Sequence, residues 1–139
     1  MIIESDLFVA HSKEADWLKP FADPLFAKLN QGALSASTSA AVLIELYYVL
    51  EDFGLDRSAI LGKQAEIAAM RGLTILPLTS EVLLAAQSIM KTFRLPGLFD
   101  GLYAAATLNQ DKDKTILSTD DVYERVPGIK RIDPREFKP

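Results

Sequence analysis

The residues of this chain able to do chemistry are acids. Glu4 and Asp6 follow a short apolar run at residues 1–3. Glu45 sits in the middle of the apolar run 40–50, Asp100 opens a second apolar run, and Asp120 and Asp121 follow a third. There is no cysteine and one histidine, His11, so thiolate nucleophiles, disulfide frameworks and multi-histidine zinc sites are excluded. A ligand set made only of carboxylates favours a hard cation, Mg²⁺ or Mn²⁺, in octahedral oxygen ligation with open positions for water and phosphate.

Glu45 is the informative acid. On a helix, Ala41, Val42, Tyr48 and Val49 share its face, and none is basic. Burying an ionised carboxylate costs several kcal/mol unless something compensates it. Mid-helix, neither a cap nor the helix dipole provides this, so the compensation must come from a distant basic residue or from a metal. The other acids each have an ordinary reading as well: Asp6 as a turn residue, Asp100 as a helix-opening acid and Asp120 as the cap of a short helix over 121–125. Gathered at one rim, however, like charges would repel and raise one another's pKa values, and a divalent cation removes that conflict.

The elements that would gather them alternate between strand and helix. Residues 1–3 read as a buried strand ending in an acidic turn, and a helix is expected from about Ser12. A second short helix is expected over 24–29 with Pro24 at its start, closed near Gly32. Strands are expected at 33–36, 73–78 and 115–118, with a short fifth at 129–132. Helices are expected over 40–50, stopped by Gly54, over 56–70, after Thr79 or Ser80, and over 98–108. This alternation predicts an α/β fold: a three-layer α/β/α domain around a central parallel sheet of four or five strands. In such sheets the site lies beyond the carboxyl ends of the strands. No linker or repeat divides residues 1–139, so one domain is expected, with little signal in the tail 133–139.

Ile3-Glu4-Ser5-Asp6, Leu43-Ile44-Glu45-Leu46, residues 99–107 from Phe99-Asp100 to Ala106-Thr107, and Ser118-Thr119-Asp120-Asp121-Val122-Tyr123 resemble, in order, the motifs of the PIN domain. This family of metal-dependent nucleases includes the VapC toxins of prokaryotic toxin-antitoxin pairs. The resemblance spans residues 1 to about 132 and departs at one place: the first acid, normally aspartate, matches Glu4. It implies RNA phosphodiester hydrolysis by one or two Mg²⁺ or Mn²⁺ ions held by Glu4 and/or Asp6 with Glu45, Asp100 and Asp120. Ser118 would orient a ligand carboxylate, and Lys13, Lys91 and Arg94, which flank the acidic motifs, would contact the RNA backbone. It also implies a homodimer and a small antitoxin as partners.

The alternative is a catalytically weak or inactive module of the same kind that binds RNA or protein. A phosphatase of the haloacid-dehalogenase type, faintly echoed by Glu4-Ser5-Asp6, needs aspartate at position 4 and leaves Glu45 unexplained. Tyr47, Tyr48 and Tyr103 read as base-stacking or core residues, and His11 and Trp17 as ordinary ones. The net charge of -4 means that nucleic-acid binding needs a local basic patch or metal ions. Neither a signal peptide nor a run of about 18 apolar residues is found, so a cytoplasmic protein is expected.

Overall fold

The computed structural model describes residues 1–139. Five parallel strands form one sheet: β1 (Ile2–Ile3), β2 (Ala36–Ser39), β3 (Leu73–Leu76), β4 (Thr115–Leu117) and β5 (Lys130–Ile132). Their spatial order is β3-β2-β1-β4-β5. Ile2 stands opposite Ser37 on one side and Ile116 on the other. The chain therefore builds outward from β1 to β3, then crosses back to lay β4 on the free side of β1. The gap between β1 and β4 is where the winding direction reverses, and ligand sites of open α/β sheets form there.

Six helices cover the sheet: α1 (Ser5–Ser12), α2 (Lys19–Gln31), α3 (Ala41–Asp52), α4 (Arg57–Ala68), α5 (Ser80–Phe93) and α6 (Leu98–Gln110). Right-handed crossovers place α1 to α4 on one face and α5 and α6 on the other, which is the three-layer arrangement expected. Asp56 caps α4 by accepting from the Ala59 amide, and Thr79 caps α5 by accepting from the Val82 amide. Gly54 stops the α3 region with φ +82. No helix is long and apolar enough to cross a membrane.

Three expectations are corrected. A helix, rather than an acidic turn, follows β1 at once: Leu7, Phe8 and Ala10 bury against the core and hold α1 from Ser5, so Ser12 ends a helix instead of starting one. Pro24 lies inside α2, not at its start. There it removes a single backbone donor, while buried Ala22, Leu25, Phe26 and Leu29 hold the helix on both sides of it. β2 falls at Ala36–Ser39, three residues later than expected, because its hydroxyls are satisfied within the fold. Thr38 Oγ1 donates to the Ile3 carbonyl at 2.8 Å, and Ser39 Oγ accepts from the Ala41 amide.

Gly101 sets how closely α6 approaches α5, because a Cβ there would lie 2.6 Å from the Ala86 carbonyl oxygen. Gly101→Ala is expected to lower stability by about 1–3 kcal/mol, as overpacking does. A fall in the urea midpoint checks this, and an unchanged midpoint would mean that the two helices separate freely.

Candidate metal centre

Glu4 leaves β1, and Ser118 and Asp120 leave β4, so the reversal point of the sheet carries an acid on both sides. Both Glu4 carboxyl oxygens are held by hydroxyls: Ser5 Oγ donates to Oε1 at 2.7 Å and Ser118 Oγ to Oε2 at 3.3 Å. The Asp120 amide in turn donates to Ser118 Oγ at 2.9 Å. Glu4 is 8% exposed. Burial, then the charges of Asp6 and Glu45, push its carboxyl well above the usual range, with Ser5 opposing.

Asp6 is placed differently. Its Oδ2 accepts from the Thr119 amide at 2.8 Å and from the Thr119 hydroxyl at 2.7 Å, and its Oδ1 accepts from the Leu7 amide at 2.7 Å. It clasps the start of α1 to the loop after β4, and three donors already occupy its oxygens.

α3 and α6 supply the remaining acids. Glu45 is partly buried, and Tyr103 Oη donates to its Oε2 at 3.2 Å. Burial raises its pKa, with the nearby Ser5 hydroxyl and the Tyr103 hydrogen bond opposing and Asp100 and Asp6 adding to the rise. Asp100 accepts from the Gly97 amide at 2.8 Å, fixing its side chain at the start of α6. Burial again raises its pKa, with the Gly97 amide opposing and Asp120 adding to the rise. Asp120 accepts from the Val122 amide and caps the 3-10 turn Asp121–Arg125.

None of these five acids takes part in an ion pair. The basic partner that would have made Glu45 an ordinary buried salt bridge is therefore missing from the fold. The donor chemistry fits a divalent cation: oxygen ligands only, the charges of Glu4, Glu45 and Asp100 made costly by burial and by their neighbours, and no Lys or Arg to relieve them. As placed, no three of them stand close enough to hold one ion between them.

The basic residues divide. Lys91 and Arg94 are exposed at the end of α5, shortly before Asp100 in the sequence, and Arg125 Nη1 donates to the Arg94 carbonyl. Lys13 follows the far end of the eight-residue α1, roughly 12 Å from its start at the helical rise. There it pairs with Asp16 and lies over the Phe53 ring. The largest surface pocket, about 380 Å³, is at that end as well, lined by residues including Lys13, Leu50, Phe53 and Lys63. It is remote from the chemistry, and the acidic rim is not an enclosed cavity.

Ser5, Thr119 and Tyr103 are the contributors that motif reading overlooked. Tyr103 is fully buried, which removes it from any role in stacking on bases. Its spacing of three from Asp100 puts both on one face of α6, a signal available from the sequence.

A family model described as the PIN domain matches residues 11–129, a span that begins after Glu4 and Asp6. Among solved structures, the chain is similar to the VapC20 toxin of Mycobacterium tuberculosis, described as cleaving the sarcin-ricin loop. The TM-score is 0.70 at 16% identity, covering 88% of this chain and 92% of that one. It is also similar to VapBC2 of Rickettsia felis bound to a DNA fragment from its promoter, with TM-score 0.64, 13% identity and coverage of 94% and 96%. A toxin-antitoxin complex from Klebsiella pneumoniae gives TM-score 0.64 at 12% identity, covering 98% of each chain. At such identities the likeness is one of fold. No curated protein sequence matches the chain.

Proposed function

Because the chain belongs to the PIN domain family, matched over residues 11–129, we propose that it is a Mg²⁺- or Mn²⁺-dependent endoribonuclease acting as the VapC-type toxin of a toxin-antitoxin pair. The observation that carries this reading is the set of acids at the β1/β4 reversal point with no basic residue paired to any of them. Glu4, Glu45, Asp100 and Asp120 would hold the cation. Glu4 is preferred to Asp6 because the Asp6 oxygens are engaged by Thr119 and Leu7. A cation bound there supplies a lowered pKa for the attacking water and neutralises charge on the phosphate.

The chain's own residues orient these ligands. Ser5 and Ser118 fix the rotation of the Glu4 carboxyl, and Ser118 relays that position to the Asp120 backbone. Tyr103 holds Glu45, and the Gly97 amide holds Asp100. Such supporting bonds to ligand carboxylates are worth about 10–100-fold in metal affinity or activity. Lys91 and Arg94, exposed at the end of α5, would meet the RNA backbone. A small antitoxin and a second copy of the chain are the proposed partners, and the exposed apolar side chains of Ile44, Tyr48 and Leu61 on α3 and α4 offer them surface.

One observation favours a binding module without catalysis: no three of the acids are assembled as placed. Incubating the protein with single-stranded and structured RNA, with Mg²⁺ or Mn²⁺ or with chelator, separates the two. Cleavage that requires the cation is expected. Cleavage in chelator would sink the metal-site reading, and binding without any cleavage would favour the module.

A further inference from the structure

Three cations near the acid-bearing segments have no acidic partner. Lys91 and Arg94 at the end of α5 and Arg125 at the end of the 3-10 turn Asp121–Arg125 are exposed, and none forms an ion pair. The carboxylate next to Arg125, that of Glu124, is taken by Arg131 at 2.6 Å. Two of the three are nevertheless tied together: Arg125 Nη1 donates to the Arg94 carbonyl at 3.2 Å, across 31 positions of sequence. Arg94 accepts that bond from a left-handed backbone, φ 55 and ψ 46, where a residue with a Cβ is strained and glycine is the usual choice.

The chain itself limits how far this pair can stand from the acids. Arg94 precedes Gly97 by three residues, at most about 11 Å when fully extended, and the Gly97 amide is bonded to the Asp100 carboxylate. Arg125 ends the turn that Asp120 caps, and five residues at the 3-10 rise put it roughly 10 Å from that acid. Asp100 and Asp120 repel a phosphate, and the net charge of -4 does so at longer range, so a polyanion has to be attracted locally. Guanidinium suits that role, because its planar fork bonds two phosphate oxygens at once.

We infer that Arg94 and Arg125 form a phosphate clamp for single-stranded RNA beside the acids, with Arg125 the member that no sequence motif points to. The inference rests on the ribonuclease reading above and adds how its substrate is gripped. An arginine kept where glycine would relieve the backbone is a position held for its side chain.

Fluorescence anisotropy with a labelled single-stranded RNA oligonucleotide, in chelator and over a range of salt, tests the clamp. The proteins compared are the wild type, Arg125→Gln, Arg125→Lys, Arg94→Gly and Lys112→Gln. Lys112 is exposed just before β4, at the opposite end of the sheet from the acids, and controls for net charge. Arg125→Gln is expected to bind about tenfold more weakly, the value of one charge-assisted hydrogen bond. It should also flatten the slope of log affinity against log salt by about 0.7, one phosphate contact on a single strand. Arg125→Lys should keep the slope, and Arg94→Gly should bind more weakly while melting at or above the wild type. Unchanged binding by Arg125→Gln, or an equal loss in Lys112→Gln, would overturn the inference. So would an Arg94→Gly protein that melts lower and binds as the wild type does. Displacement of the RNA by polyglutamate at equal charge would overturn it too, by assigning the pair to an acidic protein segment. A wild type that binds no RNA in chelator yet cleaves it with Mn²⁺ removes the clamp and leaves the ribonuclease reading standing. Binding as expected with no cleavage in Mn²⁺ does the reverse, and leaves the clamp to a binding module.

Discussion

Glu45→Gln is expected to reduce RNA cleavage by at least about a hundredfold, a loss of roughly 3 kcal/mol of transition-state stabilisation, while the fold remains intact. Gln keeps the shape of the side chain and an oxygen able to accept from Tyr103 Oη, so the contact between α3 and α6 persists. What disappears is the charge. In chelator that charge is a burden: its pKa is raised by burial and by Asp100 and Asp6, and no basic residue answers it. The variant should therefore melt no lower than the wild type without metal, and gain less than the wild type does when Mn²⁺ is added. Initial cleavage rates and circular dichroism melts in the two conditions check this. Retained cleavage in the variant would remove Glu45 from the site.

In chelator the protein is expected to lose stability as pH rises from about 5 to 8, and Glu4→Gln to remove much of that loss. An unfolded Glu4 titrates near its ordinary value of 4.5, whereas in the fold it titrates well above it. Between those two values the folded chain holds a proton that the unfolded chain has released, so raising pH favours unfolding until the folded group has titrated. Glu45 and Asp100, also raised, act in the same direction. Asp133, held low by its bonds to Arg135, contributes stability that is already complete above pH 5 and adds no slope there. Mn²⁺ should reverse the trend, because ligand carboxylates must ionise to bind it. In a domain of this size each kcal/mol recovered by Glu4→Gln is worth about 3–5 °C. Melting temperatures across the pH range at constant ionic strength provide the test, and identical slopes in the two proteins would contradict it.

Much of the layout was legible because strand and helix alternate and the later helices carry their own boundary signals, with Asp56 and Thr79 as caps and Gly54 as a stop. The amino-terminal third was not. Ser5-Asp6 after Glu4 reads as a turn in sequence, but the burial of Leu7 and Phe8 carries the chain straight into α1. β2 lies later than the sequence pattern indicates for a related reason: Ser37, Thr38 and Ser39 have the composition of a loop, and only the backbone groups that Thr38 and Ser39 find in three dimensions make that polar strand tolerable inside a sheet. For the site, the acids were readable by type and order, while their partners were not. The division of labour between Glu4 and Asp6 depends on Thr119, more than a hundred residues away in sequence, and the hydrogen bond that orients Glu45 comes from a tyrosine 58 positions along.

The bond from Ser118 to Glu4 joins positions 114 apart, and it also sets the order of events in time. During synthesis, Glu4, Glu45 and Asp100 are all made before β4 exists, so a growing chain carries most of the acids but cannot orient the first of them. Closing β4 onto β1 joins strands more than a hundred residues apart, and such distant pairings form late and slowly. On the proposed reading, a ribonuclease arranged in this way stays idle until β4 has closed onto β1.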